Sequence, residues 1–252
     1  MRRIEFNVRK TPDNTNHYKY FMSDNDFLII LIMGQIAAAM PSVISIVKYK
    51  SFTLGLKIFA WHLVFASIIE ITGLTLWYLK INNLFLSHID ALEQFIMFSL
   101  LYGHLFNEYV KQKWVYIVII IFTIFAVLNA IYLQPLTTNA TNTTLIQSVA
   151  TIAYIMFALY MRSKKIVPEK FIPLRDYKLD RISFAFINVG ILMPCIASII
   201  VYALSNNVLD PKLHSLALKV WGLHAVVSII SNIFICIGLL YFKRPAEEPV
   251  VD

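Results

Sequence analysis

Glu70, Glu93 and His224 stand inside apolar stretches long enough to cross a lipid bilayer. Burying an ionisable group in hydrocarbon costs several kcal/mol unless it meets a partner or water, so each is a functional candidate by default. At about 1.5 Å of rise per residue, Glu93 and Glu70 fall about 14 Å below one membrane face and His224 about 12 Å. Three ionisable groups on three helices thus share one level. A neighbouring pair of carboxylates there would share a proton. Two carboxylates and an imidazole would also suit a transition metal with an open fourth position. No spacing such as H-x₃-H supports that metal site, and no G-x-S-x-G nucleophile motif occurs.

Further polar groups lie near the same face: His88, Asn129, Gln134, Gln147 and His214. Trp77, Tyr78, Tyr202 and Trp221 could wall or cover a cavity, although aromatics at this height also form interfacial belts. These residues predict an outward-opening polar cavity between the second, third and seventh spans, with Asn129 and Gln147 contributed by the fourth and fifth. His62, His104, Asn188 and Asn232 form a deeper polar layer, about 24–30 Å from that face by the same rise. Asn, Gln, Ser and His are also common interhelical hydrogen-bonding residues, which is the plainer role for this layer. Glu93 and His104 share a helix face, and His224, Ser228 and Ser231 form a stripe, so a polar line could run inward. Gln94 is expected to bond a neighbouring helix.

The elements that must position these residues follow from composition. Of 252 residues, 58% are hydrophobic and only 15% charged. Soluble domains carry about 25% charged residues, so the chain reads as an all-α polytopic membrane protein. Seven stretches approach the ~20 residues a spanning helix needs: 26–47, 54–79, 84–106, 114–133, 143–162, 182–204 and 216–241. A polar tail (1–25) precedes this seven-transmembrane-helix bundle (26–242), and a short tail (243–252) follows. Fourteen Lys and Arg fall on the side of the second, fourth and sixth spans' first residues and eight on the other. That asymmetry predicts an external N-terminus and a cytoplasmic C-terminus. The net charge of +7 therefore reports cytoplasmic loops rather than nucleic-acid binding. The "AAAM" at 37–40 resembles a signal-peptide cleavage site, but the long polar leader and the apolar run to Val47 favour a retained first helix. The "NATNTT" at 139–144 reads as a turn-forming linker. Pro194 should kink the sixth span and free a carbonyl for another partner. The two cysteines lie in apolar runs and read as core residues.

The only lysine of the seventh span, Lys219, is near its mouth, so no retinal is expected. Span three ends in "NEY" and span seven lacks N-P-x-x-Y, unlike G-protein-coupled receptors. The segments "NNLFLSHIDALEQ" (82–94) and "WGLHAVVSIISNI" (221–233), with Glu70, resemble an uncharacterised group of bacterial seven-helix integral membrane proteins. That resemblance implies the fold and a bacterial inner-membrane location, and no particular chemistry.

Three readings follow. The first is a receptor-like or sensory protein that binds a small ligand or ion at Glu70, Glu93 and His224, with Pro194 as a hinge. Its basic connection 162–181 would dock a signalling partner or anchor to anionic headgroups. The second is a metal-dependent membrane hydrolase acting on lipid, with Glu70, Glu93 and His224 as ligands. The third is a proton-coupled transporter using a polar path through His62 and His104.

Overall fold

The structure is a computed structural model, and it describes residues 24–107, 109–163, 181–208 and 214–242. Seven α-helices account for nearly all of it: α1 (Asp24–Lys48), α2 (Leu54–Tyr78), α3 (Phe85–Leu105), α4 (Gln112–Leu128), α5 (Thr141–Ser163), α6 (Arg181–Val208) and α7 (His214–Tyr241). No strand occurs among the described residues. Helices keep every backbone hydrogen bond within the segment, which hydrocarbon demands. Six of the seven are long and apolar enough to cross a membrane, as in a multi-pass membrane protein.

The exception is α3, which carries His88, Asp90, Glu93, Gln94 and His104. The packing supplies the reason that this helix falls short of the apolarity of the other six expected spans. Helix α3 touches α2, α4 and α5. Enclosed by protein, it does not need a continuously apolar surface.

Helix adjacency closes a ring: α1 beside α2, α2 beside α3, α3 beside α5, α5 beside α6, α6 beside α7, and α7 beside α1. Helix α4 lies outside that ring against α3, where the rings of Phe95 and Phe122 stack with centroids 3.6 Å apart. Its far side exposes Ile117, Ile120, Ile121 and Ile124, a face suited to lipid.

The connection between α2 and α3 sets their register. Lys80 adopts φ 58°, and Ile81 N–H donates to Leu76 O while Lys80 N–H donates to Trp77 O. This is a Schellman cap with a lysine in the left-handed position usually held by glycine. Asn83 then donates through Nδ2 to Gly73 O. The chain therefore re-enters the bundle beside Gly73, about 7 Å below the top of α2. At the other end Gly55 faces Leu101 and His104.

Helices α6 and α7 approach most closely, through a reciprocal pattern. Ser183 donates to Gly238 O, and Ser231 donates to Gly190 O. A Cβ added at Gly190 or Gly238 would lie 2.6 Å from Ile235 or Ile187. Gly190 is four residues before Pro194, so its carbonyl is the one the proline cannot bond. The freed acceptor expected from the sequence is thus satisfied by Ser231. Helix α6 continues as one helix through Pro194.

Helix α1 is tied into the ring rather than standing apart. Ser42 bonds Ser67 and Leu63 O on α2. Lys48 Nζ donates to Leu239 O, Leu240 O and Phe242 O at the end of α7, a cationic cap on unpaired helix carbonyls. Around that end of the bundle, Phe52, Phe59, Phe98, Tyr102, Phe106, Phe184, Leu239 and Phe242 belong to one packed core. The tails 1–23 and 243–252 and most of the 162–181 connection lie outside the described residues.

Candidate functional site

The ring encloses a cavity of about 480 Å³. It occupies the half of the bundle that carries the 79–84 and 134–140 connections. Helices α2, α3, α5, α6 and α7 supply most of its wall, and α1 adds Ala38. It reaches from Asn83 and Ser87, at the start of α3, down to Phe59 and Ile235. Beneath it the aromatic core closes the bundle, so in this conformation the cavity has a floor.

Helix periodicity explains why the polar residues converge. His224, Ser228, Ser231 and Asn232 recur at three- and four-residue intervals on α7, and all four line the cavity. On α2, His62, Ala66, Glu70 and Gly73 do the same, as do Ser87, Asp90, Ala91, Gln94 and Phe98 on α3. Gln147 lines the wall from α5 and donates to Thr151 Oγ1 at 3.1 Å. Tyr202, anticipated as a wall, is one. Trp77 and Tyr78 are exposed at the end of α2 and do not line the cavity. The side chain of Trp221 lies outside the described residues.

Glu93 departs from expectation. It is buried beside the cavity, not on its surface, and His62 Nδ1 meets its carboxylate at 2.9 and 3.1 Å. The sequence places these residues on different levels because it starts α2 and α3 from a common plane. The Asn83–Gly73 bond lowers α3, and Gly55 beside Leu101 and His104 confirms the offset. His62, seven residues beyond Gly55, is therefore level with the middle of α3. Glu70, Glu93 and His224 do not form a ligand set. Among the described residues, no three His, Cys, Asp or Glu side chains group so as to hold a metal ion.

Other anticipated residues are structural. Asn129 is fully buried and bonds Gln134, Thr143 and Asn142, closing the α4–α5 connection rather than lining the cavity. There the helix widens into one π turn, Asn129–Leu133. His88 is buried with Nε2 3.0 Å from Thr138 O. Asn188 accepts from Tyr102 Oη at 2.7 Å and donates to Phe184 O. His104 packs beside Gly55 in the floor. Of the deeper layer, His62 and Asn232 reach the cavity, whereas His104 and Asn188 do not.

Asp90 is the residue that depth reckoning passed over, because it lies near the start of α3. It lines the cavity, accepts from Gln94 Nε2 at 2.8 Å, and lies within electrostatic reach of Glu70, Glu93 and His62. The signal was present as the i, i+4 pair Asp90–Gln94 on a helix already carrying Glu93. Gln94 thus bonds its own helix rather than a neighbour. Glu70 lines the cavity with an exposed side chain. Among the described residues neither Glu70, Ser228 nor Asn232 makes a hydrogen bond. His224 Nε2 lies 3.2 Å from Ser198 Oγ.

The wall thus combines two carboxylates, two imidazoles, several hydroxyls and amides, and the aromatic residues Phe59, Phe98 and Tyr202. Such a surface can bind, orient and desolvate a small polar molecule. No family model, curated protein or solved structure matches the chain, so its function is read from this cavity.

Proposed function

We propose that the chain is a receptor-like, sensory protein of a bacterial inner membrane, with its cavity facing outward and its C-terminus in the cytoplasm. The observation that supports this best is a cavity of about 480 Å³, with a mixed polar and apolar wall, above a packed aromatic floor. A ligand can enter, displace water and change helix packing, while the floor opposes passage. Ligand pockets span about 300–1,000 Å³, so the size suits a small molecule. Glu70, Asp90, Gln147 and His224 would hold the ligand. Pro194 borders it on α6, where a shift would pass to α7 through Ser231. The connection 162–181 would present the output to a cytoplasmic partner or rest on anionic headgroups.

A lipid hydrolase acting through Glu70, Glu93 and His224 loses its supposed ligand set to the His62–Glu93 pair. A proton-coupled carrier would need the floor around Phe59 and Tyr102 to open.

The test combines a thermal-shift screen of soluble polar compounds with flux measurements in proteoliposomes. A compound at a hundred times its dissociation constant stabilises by about 2.7 kcal/mol. For a chain of this size that raises Tm by roughly 5–11 °C. Stabilisation should weaken in Ser228→Phe, which puts a ring into the cavity from α7. The same compound should show no flux through the wild-type protein. Many turnovers of flux per protein would overturn the receptor reading in favour of a carrier.

A further inference from the structure

Among the described residues, only Gln94 donates a hydrogen bond to the two carboxylates of the cavity wall. Glu70 and Asp90 line it, and no Lys or Arg does. The two imidazoles are already engaged, His62 with Glu93 and His224 with Ser198. Glu70 makes no hydrogen bond among the described residues, and Asp90 receives one, from Gln94. An ionised carboxylate only accepts, with about four lone-pair sites, so these two groups leave most of theirs unfilled. They also lie close enough to feel each other's charge. A ligand carrying N–H donors and positive charge would complement both groups at once.

Size and surroundings separate an organic cation from a metal ion. The cavity holds about 480 Å³, far more than a dehydrated ion occupies, and no ligating trio converges among the described residues. Phe59, Phe98 and Tyr202 line the same cavity, and aromatic rings attract desolvated ammonium groups. Across from the carboxylates, α7 offers Ser228 and Asn232, both without a hydrogen bond among the described residues. The wall thus places carboxyl groups on α2 and α3, and hydroxyl, amide and the His224 imidazole on α7.

Resting on the ligand-binding role proposed above, we infer that the cavity takes a small organic ammonium compound. Its charged nitrogen sits at Glu70 and Asp90, and its hydroxyl or carbonyl end points to Ser228 and Asn232. The ammonium group is either that of a soluble amine or that of a lipid headgroup.

The test uses the full chain in proteoliposomes at pH 8, with Cys195→Ser and Cys236→Ser as background. A single thiol is placed in the cavity by Ser228→Cys and, separately, on the opposite wall by Ala66→Cys. Each is reacted with trimethylammonium-ethyl and sulfonatoethyl methanethiosulfonate, and rates are normalised to a free thiol. The cationic reagent should react at least tenfold faster, and Glu70→Gln with Asp90→Asn should bring the ratio toward one. Equal normalised rates would overturn the cation assignment while leaving a ligand cavity intact. No reaction with either reagent at either position would instead remove the cavity reading itself. Protection of the thiol by free ethanolamine or choline places the source in solution. Protection only in bilayers containing phosphatidylethanolamine places it in the headgroup. Protection by neither at saturating concentration overturns the ammonium assignment.

Discussion

Removing one member of the His62–Glu93 pair should destabilise the bundle far more than removing both. Each side chain is 9% exposed, and the two contacts measure 2.9 and 3.1 Å. Both are hydrogen-bond distances, and a hydrogen bond to a charged group is worth about 1.5–3 kcal/mol. Taking away one partner also strands the other, and breaking a buried pair this way costs about 3–5 kcal/mol. At about 2–4 °C per kcal/mol for a chain of this size, His62→Leu should lower Tm by roughly 6–20 °C. Glu93→Leu should cost less, because a neutral imidazole is cheaper to strand than a carboxylate. The double variant, His62→Leu with Glu93→Leu, replaces the pair by apolar groups in apolar surroundings. It should recover most of the loss. The assay is thermal unfolding of detergent-purified protein, with all four members of the cycle measured side by side. An ordinary interhelical hydrogen bond in a membrane is worth only about 0.6 kcal/mol. If the two single losses simply add, or the coupling falls to that level, the pair is no more than an ordinary interhelical hydrogen bond.

Further outcomes follow from particular contacts. Gly190→Ala should destabilise by about 1–3 kcal/mol, because the new Cβ meets Ser231 O at 3.0 Å and backbone cannot swing aside. Gly34→Ala, with nothing within 4 Å, is the matched control and should leave Tm unchanged. Lys48→Met removes three hydrogen bonds from the α7 terminus, so amide exchange over residues 238–242 should accelerate; unchanged exchange would show the cap to be dispensable. In a cysteine-free background, Asn82→Cys should react with an impermeant maleimide in intact cells, and Lys111→Cys only after lysis. The reverse pattern would invert the proposed orientation.

Much of the architecture could be read from the chain. Long apolar runs need helices, because hydrocarbon leaves backbone groups no other partner. The stripe His224–Ser228–Ser231 could be placed on one face, because helical periodicity is a local property. The freed carbonyl before Pro194 was equally local, though only the fold names Ser231 as its partner. Asn129 and His88 were misassigned to the cavity because a polar side chain near a helix end looks the same whether it faces a void or a loop backbone. Asp90 was missed because its height was measured from the helix end rather than from its neighbours.

The sequence by itself determined that the chain is helical, apolar and suited to a bilayer, and which residue types each helix would have to bury. Those follow from solvation and from the 3.6-residue period, which act within a single segment. Only the tertiary structure decided which buried groups meet. The pairing of His62 with Glu93, and the sharing of one cavity by Glu70 and Asp90, depend on how far α3 slides along α2. That offset is set by a Schellman cap at Lys80 and one side-chain bond from Asn83 to Gly73. A slip of one turn there would leave every helix intact and separate every pair, because axial register is a property of two helices together.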